Sequence, residues 1–259
     1  MAKVLSESRI NGMNRLTTKV FGIPFDVIKK SDLFRAVDDW INENKKNHYI
    51  VVANLYTLAL ALTQEDMVKV FRDSGCVISD GKPVQMIINY KGFKEHDHIP
   101  GFDLFEGLIE YFKNKKIKHY FVGYEKDRIE RLTKELKNLY PYMNIAGSYF
   151  VGQEFSIESA INKELVMAIN KASPDILWVG FGCPKQEKWM SKYSDFLKVP
   201  VMAGIGAVFD FSSGLKKRAP KWMQSTCVEW LYRFVQEPKR LFKRYCFVFV
   251  TLVKYFLRR

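Results

Sequence analysis

The clearest indication of the fold is the segment Ile176-Leu-Trp-Val-Gly-Phe-Gly-Cys-Pro-Lys-Gln-Glu187. Its first four residues form an uninterrupted apolar run, which indicates a short buried strand. A Gly-Phe-Gly loop and a proline then lead into Lys185, where a helix is expected to begin. Because this succession of apolar run, small-residue loop and helix recurs along the chain, the sequence predicts an α/β fold with a mostly parallel sheet covered by helices.

Six segments are predicted as strands and six as helices. The strand candidates are short and bounded by Gly, Pro, Asn or Asp, and they span residues 48–53, 76–79, 119–122, 143–148, 176–179 and 201–205. The helix candidates span residues 31–44, 55–73, 102–114, 126–139, 157–171 and 185–193. Asp103, Asp127 and Ser156 are expected at the start or in the first turn of three helices, where side-chain acceptors and negative charge are favourable.

Four loops follow predicted strands, at residues 53–54, 79–82, 180–187 and 204–210. In open α/β sheets, ligands bind beyond the carboxyl ends of the strands. Asp80 is either a general base beside Gly81, whose missing side chain lets a substrate approach, or part of a solvated Asp-Gly turn. The two glycine-rich loops either hold a phosphate on backbone N–H groups or are tight turns.

The glycine-rich loops argue against two classes of nucleotide-binding protein. Neither loop completes the Gly-x-Gly-x-x-Gly fingerprint of a dinucleotide-dependent dehydrogenase, and neither is followed by the Gly-Lys-Ser/Thr of a P-loop. The chain also lacks an Asp-x-Asp triplet. Its acid-x-acid triplets at 95–97 and 125–127 lie in charged stretches typical of solvated surface. We therefore expect no bound metal.

The four cysteines and the start of the chain indicate a reducing compartment. Cys76, Cys183, Cys227 and Cys246 form no Cys-x-x-Cys pair and have too few His neighbours for a zinc site. We expect them to be reduced thiols in a cytosolic protein. Residues 1–19 are polar and lack the apolar region of a signal peptide.

Positive charge is concentrated at the end of the chain. Residues 215–259 contain twelve Lys/Arg and two Glu, so they hold +10 of the total charge of +13. Bulky apolar and basic residues alternate there, but the longest charge-free run, 245–253, would span only about 14 Å of helix. The segment is thus too short to cross the ~30 Å hydrocarbon core and is predicted to lie on an anionic membrane surface.

Two alternatives for this basic segment remain open. It could be a helical hairpin packed on the protein core with a solvated basic face. It could also bind nucleic acid, although no helix-turn-helix, RRM or zinc motif accompanies it. In every case Pro238 is expected to divide the segment into two helices.

Several motifs together resemble the WecG/TagA/CpsF family of bacterial glycosyltransferases. They are Asn54, Asp80-Gly81, Gly101-x-Asp103-Leu104, Gly180-x-Gly-x-Pro-Lys-Gln-Glu187, Gly204-x-Gly-Ala-x-Phe-Asp210, Arg218-Ala-Pro-Lys-Trp-Met-Gln224 and Glu229-Trp-Leu-Tyr-Arg233 followed by Gln236-Glu-Pro-Lys-Arg240. The resemblance covers about residues 20–245, nearly the whole chain. Val52, where members often have Thr, and His98, where many have Arg, depart from the pattern.

The resemblance implies a Rossmann-like domain over residues 1–214 and a basic helical appendage over 215–259 that docks at the membrane. It implies an inverting, metal-independent transfer of N-acetylmannosamine or a related hexose from a UDP-sugar to a polyprenyl-pyrophosphate-linked acceptor, at the cytoplasmic face of the membrane. The product would serve cell-surface polysaccharide or teichoic acid synthesis. A homo-oligomer is left open, and nucleic acid is not an expected partner.

The family pattern also implies roles for residues of this chain. Asp80 resembles the catalytic base. The expected substrate-binding residues are Asn54, Gly81, Gly101, Asp103, Gly182, Pro184, Lys185, Gln186, Glu187, Gly206, Asp210, Arg218, Arg233, Arg240 and Arg244.

The chemistry accounts for these residue types. A base must take the proton of the attacking hydroxyl. Without a metal, Arg, Lys and helix N-termini must stabilise the departing diphosphate. The alternative is a membrane-associated nucleotide-binding or scaffold protein of polysaccharide assembly, which would not need Asp80-Gly81 or the Pro-Lys-Gln-Glu loop.

Overall fold

A computed structural model describes residues 6–10, 13–43, 47–94, 96–206, 208–209, 219–220, 223 and 229–258. Within them, one sheet holds six parallel strands in the order β5-β4-β9-β8-β6-β7. These strands are β4 (His48–Ala53), β5 (Cys76–Ser79), β6 (Lys118–Gly123), β7 (Asn144–Phe150), β8 (Ile176–Val179) and β9 (Val201–Gly204). The predicted α/β class with a mostly parallel sheet is confirmed.

The helices, numbered here among the described residues, precede, connect and follow these strands. They are α1 (Lys30–Asn42), α2 (Leu55–Ala61), α3 (Glu65–Asp73), α4 (Lys82–Tyr90), α5 (Gly101–Tyr111), α6 (Lys126–Leu139), α7 (Lys163–Ala172), α8 (Lys185–Tyr193), α9 (Glu229–Gln236) and α10 (Pro238–Leu257).

The sheet separates two apolar cores. Alternate residues of β4 point to opposite faces, so Val51 packs with α2, α3 and α8 while Ile50 packs with α1, α5 and α6. Strands β4, β5, β8 and β9 are buried throughout, as expected for a parallel sheet with helices on both faces. Trp178 of β8 is fully buried and donates its indole N–H to His119 Nδ1 at 3.1 Å.

A second, antiparallel sheet was not predicted from the sequence. It consists of β1 (Ser6–Ile10), β2 (Met13–Val20) and β3 (Ile23–Asp26). Strand β3 packs against β5, and the buried Asp26 accepts a hydrogen bond from the Val77 N–H at 2.6 Å. A side chain of the small sheet therefore satisfies a backbone donor on the edge strand of the large one.

Several predicted helix boundaries were wrong. The segment 55–73 is two helices, because the chain leaves the helix after Leu62 and Gln64 is extended before α3 begins. Helix α7 begins at Lys163 rather than near Ser156, because the side chain of Asn162 accepts the Leu165 N–H and caps it. Helix α4 was not predicted. Asp103 and Asp127 do lie in the first turns of α5 and α6.

Residues 229–258 of the C-terminal segment contain two helices, α9 and α10, which meet at Pro238 as predicted. Helix α10 packs against α2, and at its far end Tyr255 contacts Phe21 in the turn between β2 and β3. One side of α10 thus packs on the protein core, as the hairpin alternative expects. The membrane alternative concerns the other side of this helix. No helix within the described ranges is long and apolar enough to cross a bilayer. The expected domain boundary at 214/215 lies outside the described residues.

The Asp26–Val77 contact generates a stability prediction. Asp26→Ala leaves the buried Val77 N–H without its acceptor, so the free energy of unfolding should fall by about 1–3 kcal/mol in urea titrations. Asp26→Asn retains an acceptor oxygen and should lose less. The control Asp39→Ala removes an exposed carboxylate from α1 and should change little. Equal losses for the alanine variants at 26 and 39 would contradict the assignment.

Candidate active site

Asp80 and Asn54 meet where two neighbouring strands end. Because β4 and β5 are parallel, their carboxyl ends lie at one edge, and Asp80 N–H extends the ladder by donating to Ala53 O at 2.8 Å. Asn54 caps α2 by accepting the backbone N–H groups of Tyr56 and Thr57 at 3.0 and 3.2 Å. Its remaining amide group donates to Asp80 Oδ2 at 3.3 Å. The cap of one helix thereby orients the candidate base.

The residue after Asp80 is held by a segment from elsewhere in the chain. Gly81 has φ of 108°, a conformation that favours glycine, and its N–H donates to His98 Nε2 at 2.8 Å. The nearby His96 shares a hydrogen bond of 2.7 Å with the hydroxyl of Ser79. Burial lowers the pKa of His96 to about 4, so this imidazole is neutral at physiological pH.

The two glycine-rich loops are joined by one buried side chain. Gln186 Oε1 accepts the N–H groups of Gly182 and Gly206, both at 3.0 Å. A Cβ at position 204 or 206 would come within 3.0 Å of the Gln186 side chain, so both positions require glycine. These two N–H groups are therefore occupied within the protein, and a phosphate would need other donors.

Helix α10 reaches the loop after β8 through Arg244. Its guanidinium donates to Cys183 O at 2.9 Å and lies over the Tyr56 ring, 4.5 Å from the centroid. On the other side, the Cys183 thiol lies 3.6 Å from the Thr57 hydroxyl, which in turn lies 3.3 Å from Asn54 Oδ1. A continuous series of polar contacts thus links Arg244 of α10 to Asp80.

Aromatic and basic side chains lie at the carboxyl ends of β6 and β8. Tyr124 packs on Phe181 with 4.8 Å between ring centroids, and the Lys185 ammonium lies over the Tyr124 ring at 5.2 Å. Burial lowers the pKa of the nearby Arg128, which also feels the negative charge of Glu125 and Glu237. The carboxyl ends of β6 and β8 therefore bring aromatic rings and positive charge together.

The family model for the glycosyl transferase WecG/TagA/CpsF family matches residues 18–259. The chain belongs to this family. A protein of Bacillus subtilis (strain 168) named N-acetylglucosaminyldiphosphoundecaprenol N-acetyl-beta-D-mannosaminyltransferase is 28% identical over 225 residues, which cover 86% of this chain and 85% of that protein. A protein of Staphylococcus aureus (strain MW2) with the same name is 24% identical over 230 residues, 88% of each chain. The chain is therefore a glycosyltransferase.

The other expected site residues of this glycosyltransferase are placed as follows. Gly101 and Asp103 lie in the first turn of α5, and Pro184 immediately precedes α8. Of the C-terminal arginines, Arg240 pairs with Glu237, and Arg233 lies close enough to Tyr245 to influence its pKa. Asp210 and Arg218 lie outside the described residues.

Several residues at the site had no role in the sequence-based prediction. Tyr56 and Thr57 join the site because they lie in the first turn of α2, which Asn54 caps. An Asn before an apolar helix is a recognisable cap signal and could have pointed to them. Tyr124 and Arg128 lie after β6 and had no motif to mark them. His98 was noted only as a departure from the family pattern.

Glu187 is enclosed by the protein, with 1% of its surface exposed. Burial raises the pKa of its carboxyl to about 7, although the Gln186 amide donates to Oε1 at 2.9 Å and thereby opposes the shift. The Cys183 thiol and the Arg244 charge also favour the ionised form. Glu187 therefore fixes the orientation of the Gln186 amide in this structure.

The raised pKa predicts how stability depends on pH. Between the ordinary value of 4.5 and about 7, the unfolded chain releases a proton that folded Glu187 keeps, so stability falls as pH rises. The loss should reach on the order of 3 kcal/mol at pH 8. Glu187→Gln keeps an acceptor for Gln186 and should be more stable than wild type at pH 8 but not at pH 4.5. Urea unfolding at both values measures this.

The matched control is Glu135→Gln, on the exposed side of α6. Its difference from wild type should not change between the two pH values. Parallel pH profiles for wild type and Glu187→Gln would contradict the prediction.

Proposed function

We propose that this glycosyltransferase inverts the anomeric centre as it moves N-acetylmannosamine, or a related hexose, from a UDP-sugar to a polyprenyl-pyrophosphate-linked acceptor. The names of the relatives from B. subtilis and S. aureus support both the sugar and the lipid-linked acceptor. The observation that carries the proposal is the series of contacts from Asp80 through Asn54, Thr57 and Cys183 to Arg244. It joins a candidate base to a candidate diphosphate ligand.

In the proposed reaction, Asp80 takes the proton of the acceptor hydroxyl while the oxygen of that hydroxyl attacks the anomeric carbon of the donor sugar. The bond between that carbon and the phosphate oxygen breaks, and the nucleoside diphosphate departs with the bonding electrons. Arg244 and Lys185 are suited to stabilise the negative charge that develops on this diphosphate. The part-exposed ring of Tyr124, supported from beneath by the buried Phe181, offers a surface for the base of the nucleotide.

The proposed site requires no metal, because arginine and lysine side chains supply the positive charge. The test offers a panel of UDP-sugars with the lipid-linked acceptor, with and without EDTA. Mass spectrometry identifies the product, and NMR gives its anomeric configuration. Transfer from UDP-N-acetylmannosamine in EDTA, with inversion, is expected. Retention of configuration would refute the inverting mechanism, a requirement for Mn²⁺ or Mg²⁺ would refute metal independence, and transfer from no UDP-sugar would refute the donor.

Asp80→Asn should lower turnover by about 10²–10⁴-fold, because an amide cannot accept the hydroxyl proton. The fold should persist, since an asparagine oxygen can still accept from Asn54. Initial rates at saturating donor and acceptor measure the effect. The control Asp195→Asn changes an exposed acid after α8 and should leave turnover unchanged. An Asp80→Asn enzyme with wild-type turnover would remove Asp80 from the mechanism.

Arg244→Lys and Arg244→Met test the diphosphate role. With a soluble, short-chain acceptor, Arg244→Met should lower turnover by about 10²-fold, the usual effect of removing one donor to developing negative charge. Arg244→Lys should recover only part of it, because lysine lacks the planar fork of donors. Lys243→Met, an exposed neighbour on α10, is the control. If Arg244→Met matches this control, Arg244 has no part in the chemistry.

We propose a peripheral position at the cytoplasmic face of the membrane, and the outward side of α10 supports the peripheral attachment. Exposed apolar residues recur there at helical spacing, namely Phe242, Phe249, Val250, Val253 and Leu257. Phe249 is 70% exposed, and the exposed Lys243 and Lys254 lie on the same helix. An exposed apolar stripe accompanied by basic residues suits the headgroup region of an anionic bilayer.

The double variant Phe242→Ser/Phe249→Ser tests this orientation in sedimentation with anionic vesicles. Salt screens charge but not apolar burial, so wild type should remain partly bound in high salt. The double variant should lose at least about tenfold in affinity, since burial of each phenyl ring is worth roughly 1.5–3 kcal/mol. Tyr90→Ser/Phe150→Ser removes two exposed rings elsewhere and should bind as wild type does. Equal binding by both double variants would refute the assignment.

A further inference from the structure

Residues 96–99 form a brace along the end of β5. Ile99 N–H donates to Ser79 O at 3.1 Å, and the Ser79 hydroxyl contacts His96 Nε2 at 2.7 Å. The Gly81 N–H donates to His98 Nε2 at 2.8 Å. At its other side the brace is tied to α1, because Asp97 Oδ2 accepts the Lys30 N–H at 2.7 Å. The brace therefore connects the end of β5 to the first residue of α1.

The bond from Gly81 to His98 acts directly on Asp80. The Gly81 N–H belongs to the peptide unit that follows the Asp80 Cα atom. The peptide unit before that atom is held by the bond from Asp80 N–H to Ala53 O. With both flanking peptide units held, the direction of the Asp80 Cα–Cβ bond is fixed, and the Asn54 amide then orients the carboxylate.

We propose that His98 is the positioning residue of Asp80: its unprotonated Nε2 holds the Gly81 N–H and so sets the direction from which the carboxylate meets the acceptor hydroxyl. This inference rests on the proposed role of Asp80 as the base. The role requires a hydrogen-bond acceptor at position 98. An arginine in this place would carry only donors and could not accept this N–H.

The geometry requires a neutral imidazole with its proton on Nδ1. Protonation of Nε2 replaces the acceptor by a donor, so acid that protonates this imidazole breaks the bond to Gly81. His98 belongs to a cluster of titratable side chains, because His96 feels the charges of His98, Asp97 and Asp26. Asp80 and Lys82 flank Gly81 in the sequence. Burial lowers the pKa of His96 to about 4, so His96 is already neutral when His98 is tested.

The Gly81 amide can be observed by itself. Asp80-Gly81 is the single Asp-Gly pair in the sequence, so the full-length chain labelled with ¹³C-carbonyl aspartate and ¹⁵N-glycine gives one correlation through that peptide bond. In wild type the amide proton should shift as the solution is acidified and Nε2 of His98 takes up a proton. In His98→Gln, which offers an acceptor oxygen that does not titrate, the same proton should not show this shift.

Two further variants complete the NMR test. His98→Ala should move the Gly81 amide proton upfield and speed its exchange with water at every pH, because its acceptor is gone. His96→Asn changes the neighbouring imidazole and should leave the Gly81 titration in place. A Gly81 resonance that is identical in wild type and His98→Ala overturns the proposal. Because these spectra require no substrate, they stand whether or not the proposed function is correct.

Kinetics then separate positioning from folding. His98→Ala should lower kcat by about tenfold to a hundredfold with little change in KM, because a misdirected base affects the reaction more than binding. His98→Gln should restore most of that kcat and flatten the acid limb of the pH profile. A His98→Ala enzyme with wild-type kcat overturns the proposal even if the amide bond is confirmed. Wild-type turnover by Asp80→Asn would instead remove the proposed function of Asp80.

Discussion

The candidate site depends on one buried amide. Gln186 Oε1 accepts two backbone N–H groups from loops that follow different strands, and Nε2 donates to Glu187. Either N–H left unpaired in this buried place would cost about 1–3 kcal/mol. The glycines at 204 and 206 are required because any side chain there would displace Gln186. The Pro-Lys-Gln-Glu motif and the two Gly-x-Gly motifs are therefore parts of one structure.

The first turn of α2 also holds the candidate site together, because its residues contact three separate parts of it. Asn54 caps this helix and contacts Asp80, Thr57 contacts the Cys183 thiol, and Tyr56 packs under Arg244. Phe247 of α10 also contacts Tyr56, with 5.9 Å between ring centroids. The C-terminal helix and the candidate base therefore touch the same helical turn from two sides, so the appendage and the parallel sheet share one site.

The sequence predicted the large sheet well, because buried parallel strands are continuous apolar runs and β4, β5 and β8 begin and end where predicted. The small antiparallel sheet was missed, because its strands are not continuous apolar runs and its position depends on a tertiary contact between Asp26 and β5. The break between α2 and α3 was missed because no glycine or proline interrupts residues 55–73 to mark it.

The sequence pointed to Asn54, Asp80, Gln186 and Arg244 as site residues, but it did not predict which of them contact one another. Those contacts come from strand order, which periodicity does not contain. His98 illustrates the limit, since its bond to Gly81 joins two loops 17 residues apart that no local pattern relates. The burial of Glu187 was equally invisible, because Glu in the first turn of a helix is ordinarily solvated.

Helix α10 has the properties of a spacer. It carries Arg244 on the side that touches the body and Phe249 on the side exposed to solvent. A helix with its side chains is about 10–12 Å thick. In the proposed orientation, that thickness alone sets the height of the candidate site above the lipid surface. Acceptors would then be distinguished by how far their reactive hydroxyl stands from the bilayer, whatever the length of the polyprenyl chain within it.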